Sequence, residues 1–212
     1  MRLSRAPQIQ LLFWLPLEGE PMPHKFNPAH IDRLDNPERK IILPSKEILL
    51  ELGLRPDDYM IDIGAGTGYF SIPASEIVGK NGMVYAVDNS IGMIEVLKSR
   101  VAKSGAKNIK IILSQEYDLM LDDFIADLTL MCTVLHEIDD KQRFLLAVQR
   151  VMKSKSKLAI IEWSKKPMDM GPPLNDRMEM SLTQDLLKQL DFNDIEVADY
   201  NNYFYFATAG KK

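Results

Sequence analysis

The sequence predicts an α/β protein built on a doubly wound, mostly parallel seven-stranded sheet with an antiparallel terminal strand. Three observations lead there. A short apolar strand, Tyr59-Met60-Ile61-Asp62-Ile63, breaks into three glycines, Gly64, Gly66 and Gly68, with a helix pattern directly behind them. Apolar runs and helix-period segments then alternate along the chain, the pattern of a parallel sheet with crossover helices. Finally, Asn201-Asn202 stands between the last two strand signals, and such a dipeptide marks a tight hairpin that reverses the chain.

The elements follow in order. His24 to Leu43 is polar and punctuated by Pro28, Pro37 and Pro44, and reads as an irregular or short-helical cap. Ser45 precedes a helix through Leu52 that stops at Gly53, with Pro56 beyond. After the first strand and glycine turn, Ser71 to Val78 is helical and is closed by Gly79 and the Asn81-Gly82 turn. Met83 to Asp88 is the second strand. The helix Ile91 to Ser104 places Ile94, Leu97 and Val101 on one face. Ile109 to Leu113 and Asp127 to Cys132 are the third and fourth strands, and Lys141 to Met152 is a helix. Leu158 to Trp163 is a nearly continuous apolar run, as a strand buried on both faces requires. Ser164 to Arg177 contains Pro167, Pro172 and Pro173 and is too proline-rich for a helix. A helix from Thr183 to Leu190 and strands at Ile195 to Ala198 and Tyr203 to Thr208 complete the chain.

Composition narrows the class. The 212 residues are 46% hydrophobic and 26% charged, the balance of one soluble domain. A net charge of −4 without a long basic run argues against a nucleic-acid partner. One cysteine, Cys132, forbids an intrachain disulfide and suits a reducing, cytoplasmic setting. Near the start, Arg2 and Arg5 precede an apolar run from Ile9 to Leu17 that Pro16 interrupts and no small-residue cleavage site follows. The run is far below the ~20 residues that span a bilayer, so no transmembrane segment is expected. Residues 1–21 are expected to form an N-terminal extension without ordered structure, Met22 being the natural start. A single domain over 22–212 then includes the cap over about 22–45. The 12 methionines read as core filler rather than a thioether site, and no metal is expected.

The glycine turn carries the chemistry. Glycine lets the chain turn sharply and lets a ligand lie against bare backbone, while the next helix offers its free N–H groups. A dinucleotide fingerprint needs G-x-G-x-x-G, but Tyr69 stands where its third glycine belongs. The motif is instead Asp-x-Gly-x-Gly-x-Gly from Asp62. Asp88 ends the next strand 20 residues after Gly68, where a carboxylate can accept both hydroxyls of a ribose.

On these residues the chain resembles the class I methyltransferases that use S-adenosylmethionine (SAM). The likeness runs from about Asn27 to Ala209 and is closest to the small-molecule type, in the group with the ubiquinone/menaquinone and arsenite methyltransferases. It implies a Rossmann-like fold, SAM as cofactor and S-adenosylhomocysteine (SAH) as product. It also implies a cofactor site at Asp62, Gly64, Ala65, Gly66, Gly68 and Asp88. Asn89, Met93, Ser114, Gln115 and Glu116 would flank the adenine, and Cys132 and Thr133 would face the methionine end.

Departures from the family patterns limit the acceptor. Met131-Cys132-Thr133-Val134 replaces the Asn/Asp-Pro-Pro-Tyr/Phe motif of enzymes that methylate base amines. One cysteine cannot supply the several thiolates that hold arsenic. Quinone methylation stays open, although no basic and aromatic membrane stripe is evident. Much of the rate in methyl transfer comes from holding donor and acceptor close and collinear, and a base serves only an acceptor that must lose a proton. His136, beside Glu137, is the candidate base because it follows the fourth strand; a mere turn cap is the alternative. His24, Phe26, Glu162, Trp163 and Arg177 are candidate acceptor contacts. The expected activity is methyl transfer from SAM to a small-molecule acceptor, the competing reading being a non-catalytic SAM-binding sensor or assembly protein.

Overall fold

The computed structural model describes residues 37–212. Two short helices come first, α1 (Pro37–Ile42) and α2 (Ser45–Glu51), followed by β1 (Tyr59–Ile63), α3 (Ser71–Val78), β2 (Met83–Asp88), α4 (Ile91–Ser104) and β3 (Ile109–Leu113). The second half runs β4 (Ala126–Cys132), α5 (Lys141–Val151), β5 (Met152–Trp163), α6 (Met180–Gln189), β6 (Asn193–Asp199) and β7 (Phe204–Gly210). The seven strands form one sheet in the order β3-β2-β1-β4-β5-β7-β6. β1 to β5 are mutually parallel, and β7 runs antiparallel to both β5 and β6. The strand order reverses between β1 and β4, the switch point outside which such sheets bind their ligands.

Side-chain alternation along the strands divides the core between the two faces. Ile61 and Ile63 of β1, Met131 of β4, and Leu158 and Ile160 of β5 pack with Leu145 and Val148 of α5 and Leu187 of α6. Met60, Leu130, Cys132, Ala159, Ile161 and Trp163 point the other way, onto Ile48 and Leu49 of α2 and Ala74 and Val78 of α3. Both sheet faces are therefore covered, which explains why β4 and β5 read as continuous apolar runs rather than alternating ones.

Two element starts differ most from the sequence expectation. β5 begins at Met152 rather than Leu158, directly after α5. Its first half, Lys153-Ser154-Lys155-Ser156-Lys157, carries no apolar signal. The backbone is nonetheless paired, with Lys155 N–H donating to Lys211 O at 2.8 Å and Lys211 N–H to Ser156 O at 3.0 Å. The helix expected from Thr183 starts at Met180, so Thr183 sits inside it, fully buried, with its hydroxyl 2.8 Å from that of Tyr205. Of the expected cap over about 22–45, only its end is described, as α1 and the start of α2; residues 1–21 lie outside the described residues.

Candidate functional site

The loops after β1, β2, β4 and β5 converge at the carboxyl edge of the sheet. Gly64, Gly66 and Gly68 all have positive φ, at 68°, 53° and 83°, a region other residues enter at a cost. Space is as restrictive as torsion: a Cβ on Gly64 would overlap Val134 Cγ2, and one on Gly68 would stand 2.8 Å from Leu97 Cδ1. The β1 loop thus lies directly against the β4 loop. Thr133 between them has φ 57°, unusual for a β-branched residue. Its N–H reaches Ile161 O at 2.7 Å, which turns the chain out of the sheet and brings Val134 over Gly64.

Two buried carboxylates flank the loop. Asp88 accepts the Gly66 N–H at its Oδ2 and the Ser90 N–H at its Oδ1, each at 2.9 Å. Burial pushes its carboxyl above the ordinary range, against the pull of those backbone donors. Asp62 is 2% exposed and accepts the Ser71 hydroxyl at 2.5 Å. Burial pushes it up to about 7, with the Ser71 hydrogen bond opposing and the Asp88 charge adding to the rise. A carboxylate so poorly solvated is one that a cationic ligand would re-ionise. SAM carries a sulfonium and an ammonium, so the two acids and the bare glycine backbone fit it.

A stability consequence follows from Asp62. Its folded-state value of about 7 exceeds the ordinary 3.8, so the native state holds this proton more tightly than the unfolded chain. That contribution is complete below about pH 3.8 and is lost as pH rises through about 7. Asp62→Asn, which cannot ionise, should therefore gain stability over the parent between pH 5 and 8, by roughly 2–4 kcal/mol at most. Urea midpoints across that range measure it; a constant difference would remove the ionisation account.

The other expected cofactor residues are placed as follows. Ala65 is buried with Ala86 and Leu97 beneath the loop, and its N–H donates to Val87 O at 3.0 Å. Asn89 is exposed at the β2 end, and Met93 is buried in the first turn of α4, capped by Ser90. Ser114 N–H donates to Asp88 O at 2.9 Å, bringing Ser114, Gln115 and Glu116 beside Asp88. Cys132 ends β4, and burial pushes its thiol up to about 12.

His136 lies in a single 3-10 turn, Leu135–Glu137, after β4. Its Nδ1 is 2.7 Å from Glu162 Oε2, and its backbone N–H donates to Glu162 Oε1 at 3.2 Å. The His136 side chain is 8% exposed and that of Glu162 1%. Burial alone would lower the imidazole's pKa, but the adjacent Glu162 carboxylate outweighs it and holds His136 above the ordinary 6.5. The pairing comes from topology. β4 and β5 are neighbours with Cys132 opposite Ile161, so Glu162, next to last in β5, meets the turn leaving β4. The sequence marked Glu162 only as a candidate acceptor contact, an acid near the end of an apolar strand, and gave no sign of its pairing with His136.

The candidate acceptor contacts part company. Trp163 is buried, its ring 4.4 Å from that of Phe204, and Gly171 lies so close that a Cβ would stand 2.8 Å from the indole. Arg177 is 5% exposed and its guanidinium donates to the carbonyls of Pro172, Ser164, Lys166 and Met170. Its donors thus tie the 164–177 loop together. His24 and Phe26 lie outside the described residues. Among the described residues no group of three or more His, Cys, Asp or Glu could hold a metal, and no helix is long and apolar enough to cross a membrane.

Comparison with known proteins matches this geometry. Residues 54–208 match the family described as methyltransferase domain. A SAM-dependent methyltransferase from Aquifex aeolicus superposes with a TM-score of 0.83 at 31% identity, over 87% of this chain and 98% of that one. Curated relatives include the ubiquinone/menaquinone biosynthesis C-methyltransferases of Vibrio vulnificus (strain YJ016) and Marinomonas sp. (strain MWYL1). The first is 30% identical over 118 residues, 55% of this chain and 45% of its own length; the second is 25% identical over 138 residues, 65% and 55%. The chain thus spans about half the length of these curated relatives. It belongs to the class I SAM-dependent methyltransferase family, with SAM as the family's methyl donor.

Proposed function

We propose that the protein methylates a small molecule bearing an ionisable hydroxyl, such as a phenol or enol, at that oxygen or at a carbon it activates. The observation that carries this reading is the His136–Glu162 pair beside Cys132 and Thr133. An acceptor that must shed a proton needs a base near the methyl group, and Glu162 tunes His136 upward for that task. The relatives named as C-methyltransferases of quinone biosynthesis support an acceptor of this kind. SAM supplies an electrophilic methyl group on a sulfonium. In this reading Asp88 takes the ribose, Asp62 the cationic head, and the glycine loop allows close approach. His136 takes the acceptor proton, and Glu162 fixes the imidazole by its Nδ1.

Transfer of a labelled methyl group from SAM to a panel of phenols, enols, amines and thiols tests the proposal. Phenols or enols should be methylated and amines should not. His136→Gln should lower kcat by about 100-fold or more with SAM affinity unchanged. Turnover confined to amines or thiols, or an unaffected His136→Gln enzyme, contradicts it.

A further inference from the structure

Glu162 stands between two neighbouring strands, with β4 on one side of β5 and β7 on the other. From the β4 side His136 meets both carboxylate oxygens, through its backbone N–H at 3.2 Å and its Nδ1 at 2.7 Å. From the β7 side comes Tyr205, the residue directly opposite Glu162 in the antiparallel ladder. Directly opposite residues share a face, with their Cβ atoms roughly 5 Å apart. The phenol ring therefore flanks the acid on the side away from His136. Tyr205 is 0% exposed, and so is Thr183 of α6, whose hydroxyl lies 2.8 Å from the phenol oxygen. The ring is pinned at both ends, by its own strand and by α6.

That placement has an electrostatic consequence. A carboxylate acts on a neighbouring imidazole through its charge, and water beside the carboxylate weakens that action several-fold. Glu162 is 1% exposed, with Tyr205 filling the flank that His136 does not cover. Burial first, then the Glu162 charge, push the phenol above its ordinary range against the Thr183 hydrogen bond, so the ring is a neutral surface. Other titratable groups surround the pair. Burial lowers the imidazole's pKa; Glu162 and then Glu137 of the same turn raise it, and Lys141 of α5 opposes them. Glu179, just before α6, acts on Tyr205, and Cys132 of β4 feels the Glu162 charge.

We propose that Tyr205 is a positioning residue for the base: its ring walls Glu162 off from water on the β7 side, so that the carboxylate's charge falls undiluted on His136. The role rests on the reading of His136 as the base. Thr183 anchors the wall from α6, the helix that follows the 164–177 loop.

The imidazole titration of His136, read by NMR on the full chain, follows the pair without any acceptor, and its loss in His136→Gln assigns the signal. The parent midpoint should lie above 6.5. Tyr205→Val suits a strand but leaves room for water beside the carboxylate. It should bring the midpoint down by about 0.5 or more on the pH scale. Tyr205→Phe keeps the ring and loses only the hydroxyl, so its midpoint should stay within about 0.2 of the parent. SAH affinity should be unchanged in both. An unmoved midpoint in folded Tyr205→Val would overturn the proposal. So would a larger displacement in Tyr205→Phe, since the hydroxyl rather than the ring would then carry the effect, and that variant can overturn it even if Tyr205→Val does not fold. A parent midpoint at or below 6.5 would instead sink the base reading itself, a result distinguishable from both.

Discussion

Asp88→Ala should weaken SAH binding by at least about 100-fold, the largest single effect expected on the cofactor. A charge-assisted hydrogen bond contributes roughly 1.5–3 kcal/mol, and a carboxylate that accepts two ribose hydroxyls contributes two of them. Asp88 also accepts the N–H groups of Gly66 and Ser90, so its removal loosens the glycine loop and the cap of α4 together. The signature is specific to the ribose end of the ligand. 5′-Methylthioadenosine keeps the ribose and lacks the amino acid, so its affinity should fall with that of SAH in Asp88→Ala. Titration of both ligands measures this, and retained affinity for SAH would remove Asp88 from the site.

Glu162→Gln should lower kcat by about 10- to 100-fold and move the acid limb of the rate profile to lower pH. The direction follows from the pair. His136 must be neutral to accept a proton, and the Glu162 carboxylate 2.7 Å away favours its charged form. Glutamine keeps the shape and can still accept the His136 backbone N–H, but it removes the charge that opposes the effect of burial. The imidazole should then deprotonate at lower pH, while as a weaker and less firmly held base it works more slowly. Glu162 is thus a positioning residue, and SAH affinity should not change. The same pair has a stability consequence of definite sign. Its contribution is full below about pH 6.5, the ordinary histidine value, and is lost as pH rises through the elevated one. Initial rates between pH 5 and 9 for parent and variant measure the shift; an unmoved acid limb would take Glu162 out of the proton path.

Local signals were legible in the sequence and long-range ones were not. The glycine turn, Asp62 and Asp88 announce themselves because strand, turn and acid lie close along the chain. Helices α3 and α4 begin and end where their apolar spacing and glycine stops place them. The first half of β5 was hidden because its lysines and serines give no strand pattern, and its order comes from pairing with the C-terminal residues. His136 was visible as a candidate, but its partner lies 26 residues away and arrives only through the neighbouring of β4 and β5. Tyr69 hydrogen-bonds the carbonyls of Arg39 and Leu43 at 3.3 and 2.6 Å from 30 and 26 residues away, a contact that no spacing rule predicts. Arg177 was legible as a candidate acceptor contact, but the four loop carbonyls it serves could not be read from spacing.

The whole account depends on the loop from Gly64 to Gly68, between Asp62 and Asp88, holding an adenosyl amino acid. Isothermal titration of SAH into cofactor-stripped protein tests that most directly. One molecule of SAH should bind per chain with a dissociation constant near or below about 100 μM, an affinity of roughly −5.5 kcal/mol. A titration that shows no binding of SAH or SAM up to about 1 mM, with the protein folded, would contradict it.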